Sequence, residues 1–126
     1  MLLEIDLTST IALYQQIRDQ IVYGIGSGRL VPGELLPTVR QLAEDLGINA
    51  MTVNKAYTLL KQEGMIVTDR RQGTRVTENP AQSRLPSDYR TRLSLLLAEG
   101  AAKSADPAQF RAEVLRILAE LQGGGQ

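Results

Sequence analysis

Residues 36–76 read LPTVRQLAEDLGINAMTVNKAYTLLKQEGMIVTDRRQGTRV, and the spacing of apolar residues in this stretch decides the fold. Thr38 can cap a helix. Behind it Val39, Leu42, Ala43 and Leu46 recur at helical spacing, while Arg40, Gln41, Glu44 and Asp45 fall on the other side. Gly47 stops that helix. Asn49 then stands where the next cap is wanted, and a further helix runs to about Glu63 with Val53, Ala56, Tyr57 and Leu60 inward. Its outer face is Ala50, Met51, Thr52, Asn54, Lys55, Thr58 and Lys61. Gly64 ends it, and two β-rich runs, residues 65–68 and 74–77, flank a basic loop at 69–73. Helix, tight turn, helix and hairpin in that order predict a winged helix-turn-helix, whose second helix is shaped to enter the major groove of DNA.

Upstream, Leu13, Tyr14, Ile17, Ile21, Val22 and Ile25 share one stripe and predict a first amphipathic helix over residues 12–26. Gly26 or Gly28 should stop it. Pro32 and Gly33 then signal a turn, and Leu35, Leu36 and Pro37 lead back to the core. The opening residues Leu2, Leu3, Ile5 and Leu7 alternate imperfectly, which fits either a short extra strand or a segment packed beneath the first helix.

Downstream, residues 78–86 shift to Asn, Pro, Gln, Ser and Arg and read as a linker that closes a unit spanning residues 1–77. Beyond it, residues 87–122 carry two apolar stripes: Tyr89, Leu93, Leu96 and Leu97, then Phe110, Val114, Leu115, Ile117, Leu118 and Leu121 after a helix start at Asp106-Pro107. Residues 123–126, GGGQ, are expected to be a disordered tail. Two helices cannot bury both stripes alone, so they must pack on the first domain or on a second copy of the chain, of which a homodimer is the economical answer. The fold class is therefore α+β, mainly α: an N-terminal winged helix-turn-helix with a short C-terminal dimerisation hairpin.

Composition excludes several classes. Neither cysteine nor histidine occurs in the 126 residues, so disulfide frameworks, thiol nucleophiles, Cys/His zinc sites and imidazole acid–base chemistry are out. Glu44, Asp45, Ser87 and Asp88 form no recognisable catalytic constellation, and neither an enzyme nor a cofactor is expected. No apolar run approaches the roughly 20 residues a membrane-spanning helix needs, and the N-terminus lacks a basic, long-apolar leader, so the expected location is the cytoplasm. Fourteen basic residues balance fourteen acidic ones. Screening confines exposed charges to roughly 8–10 Å, so the local face matters more than the sum, and Arg70, Arg71 and Arg75 lie close together in sequence.

The pattern Gly28-Arg29-Leu30, Pro32-Gly33-Glu34, Leu36-Pro37, Arg40, Leu42-Ala43, Leu46-Gly47, Thr52-Val53, Lys55-Ala56-Tyr57, Leu60, Glu63-Gly64 and Gly73-Thr74 resembles the DNA-binding domain of GntR-type bacterial transcription regulators over roughly residues 10–77. The short helical remainder resembles the YtrA subfamily rather than the FadR, HutC or MocR types, which carry far larger C-terminal domains. That resemblance implies a homodimeric repressor of its own operon and of a transporter operon of the ATP-binding-cassette class, bound to a palindromic operator and released by an unknown effector. It implies site residues Arg40, Asn49, Thr52, Asn54 and Gly73. FadR-type members carry arginines near the positions of Ala50 and Asn54, so the base code here must differ.

The side-chain chemistry fits these roles and also blander ones. The Asn54 carboxamide can read adenine, and the Met51 thioether can cover a thymine methyl or close a core edge. Asn49 and Thr52 suit phosphate contact or ordinary capping. Arg40 suits a phosphate or an ion pair with Glu44 one turn on. Lys55 and Lys61 are solvated or face the DNA backbone. The wing arginines Arg70, Arg71 and Arg75, with Gly73, suit the negative potential of a minor groove, or a solvated hairpin tip. A winged helix used only as a protein-interaction adaptor is the alternative, for which the balanced charge is the best argument.

Overall fold

The computed structural model describes residues 3–78 and 85–123; the interior of the expected linker, 79–84, and residues 124–126 of the expected tail lie outside them. Along the chain come α1 (Leu13–Gly26), α2 (Val39–Leu46), α3 (Ala50–Gln62), β1 (Ile66–Asp69), β2 (Gly73–Val76), α4 (Tyr89–Lys103) and α5 (Pro107–Gly123).

Helix α3 is the centre of the winged unit: α1 and α2 both pack on it, and β1 closes its far end. The reason is its inward face. Val53, Ala56, Tyr57 and Leu60 are all at most 1% exposed and meet Ile17 and Ile21 of α1, Leu42 and Ala43 of α2, and Ile66 and Val76 of the strands. Fully burying aliphatic side chains of this size contributes about 1.5–3 kcal/mol each. Arg18 adds a polar clamp from α1 to α3, its Nε donating to Glu63 at 3.0 Å while Nη2 also engages that carboxylate. Those bonds hold the guanidinium pKa above its ordinary value.

The strands pair antiparallel with Ile66 opposite Val76 and Asp69 opposite Gly73, so β1 runs one residue later and β2 one residue earlier than the β-rich runs suggest. A third row joins them. Leu35 bridges Arg75; Leu36 N–H donates to the Thr74 carbonyl at 2.8 Å, Val76 N–H to Glu34 at 3.0 Å and Gly33 N–H to Val76 at 2.9 Å. The connector after α1 is thus a strap laid along the wing.

Of the two glycines that could end α1, Gly28 has the left-handed φ, at 82°, and Ser27 is the C-cap. Among its described residues the opening segment forms no strand. Leu3 and Ile5 pack on the core, and glutamines of α1 supply the hydrogen bonds a neighbouring strand would have given: Gln20 Oε1 accepts from Glu4 N–H at 2.9 Å and Gln16 Oε1 from Asp6 N–H at 2.8 Å.

In the C-terminal helices, Asp106 Oδ1 accepts from the amides of Ala108 and Gln109, and Pro107 opens α5 where its missing N–H costs nothing. Gly123 is the last residue of α5 rather than the first of a tail, because the turn before it already fixes its backbone. α4 and α5 meet at Gly100, against which the Phe110 ring lies. No residue of either helix is buried.

Candidate DNA interface

The helix pair is built by local chemistry. α2 opens on a capping box: Thr38 Oγ1 accepts from Gln41 N–H at 3.1 Å, and Gln41 Oε1 accepts from Thr38 N–H at 3.0 Å. It closes at Gly47, whose φ of 68° lies in the left-handed region that a side chain would strain. Two residues later Asn49 caps α3, its Oδ1 accepting from Met51 N–H at 2.7 Å. Asn49 is therefore committed to the cap, although its remaining amide faces solvent.

That turn leaves α3 with one face packed and the other open. Met51 is 77% exposed, far too open to be closing a core edge, and Asn54 is exposed one turn into the helix. Thr52 is half-buried between them. Arg40 is exposed on α2 and, among the described residues, makes no ion pair; the pairing with Glu44 is not formed. Lys55 is different. Its Nζ lies 3.9 Å from the centre of the Tyr14 ring, so its charge is drawn toward the start of α1 rather than left free on the recognition face.

The wing separates its three arginines. Asp69 Oδ1 accepts from Arg71 N–H at 2.7 Å, folding the loop so that Arg70 and Arg71 project into solvent. Gly73, with φ of 80°, starts β2 and has the Leu35 side chain 3.2 Å from where a Cβ would stand. Arg75 turns the other way. It is half-buried on the sheet and donates from Nη1 to the Gly33 carbonyl at 3.0 Å, so it braces the strap and is not a free wing cation. Strand alternation puts Arg75 beside half-exposed Val67, on the face away from buried Ile66 and Val76, and its side chain is half-buried because it turns to the Gly33 carbonyl of the strap at the sheet edge.

Two features escape sequence reasoning. The Tyr57 hydroxyl donates to the Pro37 carbonyl at 2.7 Å across twenty positions, and burial pushes the phenol up to about 12. The strap pairing of residues 33–36 is the other; it leaves Leu35 exposed and Leu36 buried, a difference that two adjacent leucines do not announce in the sequence. At the start of α4, Arg92 engages both Tyr89 and Asp88, with its guanidinium 5.5 Å over the ring and Nε 3.1 Å from the Asp88 carboxylate.

On the C-terminal helices, Leu93, Leu96, Leu97, Leu115, Ile117 and Leu118 are all exposed, as is Leu95, which lies off the expected stripe. Phe110, Val114 and Leu121 are half-buried, and Phe110 spends its ring on Gly100 of the same chain. Among the described residues no cluster of acidic side chains could hold a metal, and no helix is long and apolar enough to cross a membrane.

Two helices joined by a tight turn, the second exposing a polar face, with a two-stranded wing behind, define a winged helix-turn-helix protein. Residues 13–76 match the family described as bacterial regulatory proteins, gntR family, and the chain belongs to that family of helix-turn-helix transcriptional regulators. It is 32% identical over 98% of its length to the transcriptional repressor YtrA of Bacillus subtilis, covering 97% of that protein. Among solved structures it resembles YtrA from Sulfolobus acidocaldarius, a GntR-family transcription factor, with a TM-score of 0.65, 38% identity and coverage of 82% of this chain and all of that one. A transcriptional antiterminator from Listeria monocytogenes shares the fold, helical C-terminal part included, with a TM-score of 0.84 at 24% identity over 98% of this chain and 95% of that one.

Proposed function

We propose that this chain acts as a homodimeric, sequence-specific repressor on a palindromic operator, with residues 1–77 binding DNA and residues 87–122 dimerising. The observation that carries the reading is the open face of α3: a helix whose other side is fully packed holds Met51 and Asn54 out to solvent beside a capped, exposed Arg40. In this reading Asn54 reads a base, Met51 covers a thymine methyl, Arg40 and Thr52 meet phosphates, and Arg70 and Arg71 enter the adjacent groove with Gly73 giving clearance. Asn49 acts as cap first and as a contact only through its free amide. Lys55 and Arg75 act by holding α1 and the strap in place.

The dimer half rests on the exposed leucines of α4 and α5, a patch that water disfavours and a two-fold partner would cover. Full-length similarity to a transcriptional repressor supports repression; control of a transporter operon and of its own gene, with release by an effector, is what the resemblance to the YtrA subfamily implies. Footprinting on a duplex selected by the protein from a random library tests the first half: Arg40→Ala and Asn54→Ala should each weaken binding by about 1–3 kcal/mol with unchanged thermal midpoints. Sedimentation tests the second, where Leu96→Glu should give a monomer; a variant that still sediments as a dimer removes this face from the interface.

A further inference from the structure

The strap of residues 33–38 touches every part of the proposed interface that is not α3 itself. Its end, Pro37, immediately precedes the Thr38 cap from which α2 and Arg40 begin. Its middle is bonded to β2 through Leu36 N–H, Glu34 carbonyl and Gly33 N–H, and Leu35 lies against the Gly73 backbone at the wing loop. Arg75 adds a bond to Gly33 from the strand beside it. What joins the strap to the recognition helix by a directed bond is Tyr57: 1% exposed, on the packed face of α3, with its hydroxyl 2.7 Å from the Pro37 carbonyl.

We propose that Tyr57 is a positioning residue for the DNA interface, its hydroxyl setting through the Pro37 carbonyl where the strap lies, and through the strap the placement of both Arg40 and the wing loop relative to α3. This rests on the DNA reading above. The physical argument is directionality. Apolar burial of Leu36 and the Tyr57 ring holds the strap in the core but is non-directional, whereas a short hydrogen bond to one carbonyl specifies a position along the strap. A recognition surface made of three separate elements needs that register, because phosphate contacts on both sides of a groove must be met at once.

The test uses the full-length chain, Tyr57→Phe, and Ile17→Val as a comparator that loosens the same core from α1 and removes no hydrogen bond. The probe is a DNA duplex selected by the wild-type protein from a random library. Tyr57→Phe should weaken duplex binding about fivefold, the factor one net neutral hydrogen bond is worth, and flatten the dependence of log affinity on log salt by about one phosphate contact. In the free protein it should also speed hydrogen exchange at the Leu36 and Val76 amides relative to the rest of the core. Ile17→Val should do neither. The proposal is overturned if Tyr57→Phe matches Ile17→Val in affinity, salt slope and strap exchange. If wild-type protein selects no duplex at all, the DNA reading falls and the proposal with it, an outcome distinguishable because no variant is involved.

Discussion

At Gly100 a built Cβ would stand 2.3 Å from Cε1 and 2.5 Å from Cζ of Phe110, well inside the roughly 3.5–4.0 Å at which carbon atoms rest. Gly100→Ala therefore expels the ring from its seat. Two terms oppose each other. Alanine in a helix interior is favoured over glycine by about 1 kcal/mol, while overpacking costs about 1–3 kcal/mol, the lower part applying where a half-buried ring can swing aside. The single substitution should thus cost about 0–2 kcal/mol, a result too close to zero to be decisive. The sign becomes decisive in a Phe110→Ala background. There the obstruction is gone and only the helix preference remains, so Gly100→Ala should stabilise by about 1 kcal/mol.

The difference between backgrounds, about 1–3 kcal/mol, is the coupling between the two positions. It is measured by urea unfolding of the four proteins, followed by helical circular dichroism. All four must be at one fixed concentration, because a dimer's apparent stability depends on protomer concentration. Coupling below about 0.5 kcal/mol, or a stabilising Gly100→Ala in both backgrounds, would refute the placement of Phe110 on Gly100. It would also return the Phe110 ring to the exposed stripe that the sequence suggests.

Neutralising Arg70 or Arg71 should flatten the salt dependence of operator binding by about one contact each and leave the thermal midpoint alone, whereas Arg75→Ala should lower the midpoint because it unties Gly33; titrations at several salt concentrations beside thermal scans separate the two. Thr38→Ala removes the capping box of an eight-residue helix and should cost about 1 kcal/mol in chemical unfolding, and an unchanged midpoint would show that the cap is idle. The Tyr57 phenol, pushed up to about 12 in the fold from an ordinary 10, favours its neutral form in the native state. Stability is therefore complete below pH 10 and declines from there toward pH 12 as the unfolded chain ionises first; Tyr57→Phe should lack that component of the decline.

The helices and wing were legible because their signals are local. Thr38, Gly47, Asn49 and Gly64 punctuate segments whose apolar spacing matches one helical face, and each does in the structure what its chemistry suggests. The strap was not legible, since the hydrogen bonds that pair it with β2 join residues about forty positions apart through backbone groups, which every residue type carries. The fate of the cations escaped for a related reason. Nothing in the order Arg70, Arg71, Arg75 says that the third will reach the Gly33 carbonyl, and nothing near Lys55 says that Tyr14, from another helix, will be beneath it. Periodicity reports which side of an element faces inward, but not which neighbour arrives there.

The zero net charge, the best support for an adaptor, loses force once individual partners are considered. In the winged unit Glu63 is held by Arg18, Asp69 caps the wing loop, and Glu34 accepts from Val31 N–H, so these carboxylates are turned to internal work. Arg40, Arg70 and Arg71 remain exposed without ion pairs among the described residues. Glu44 and Asp45 are not so engaged and lie exposed on the last turn of α2. On the DNA reading this polarity orients the complex: a phosphate backbone is attracted to the amino end of α2, where Arg40 and the helix dipole are both positive, and repelled from the carboxyl end, where two carboxylates add to the negative pole. An electroneutral chain can therefore present a directional field to DNA, and it discriminates against misaligned docking more than it raises affinity for any duplex.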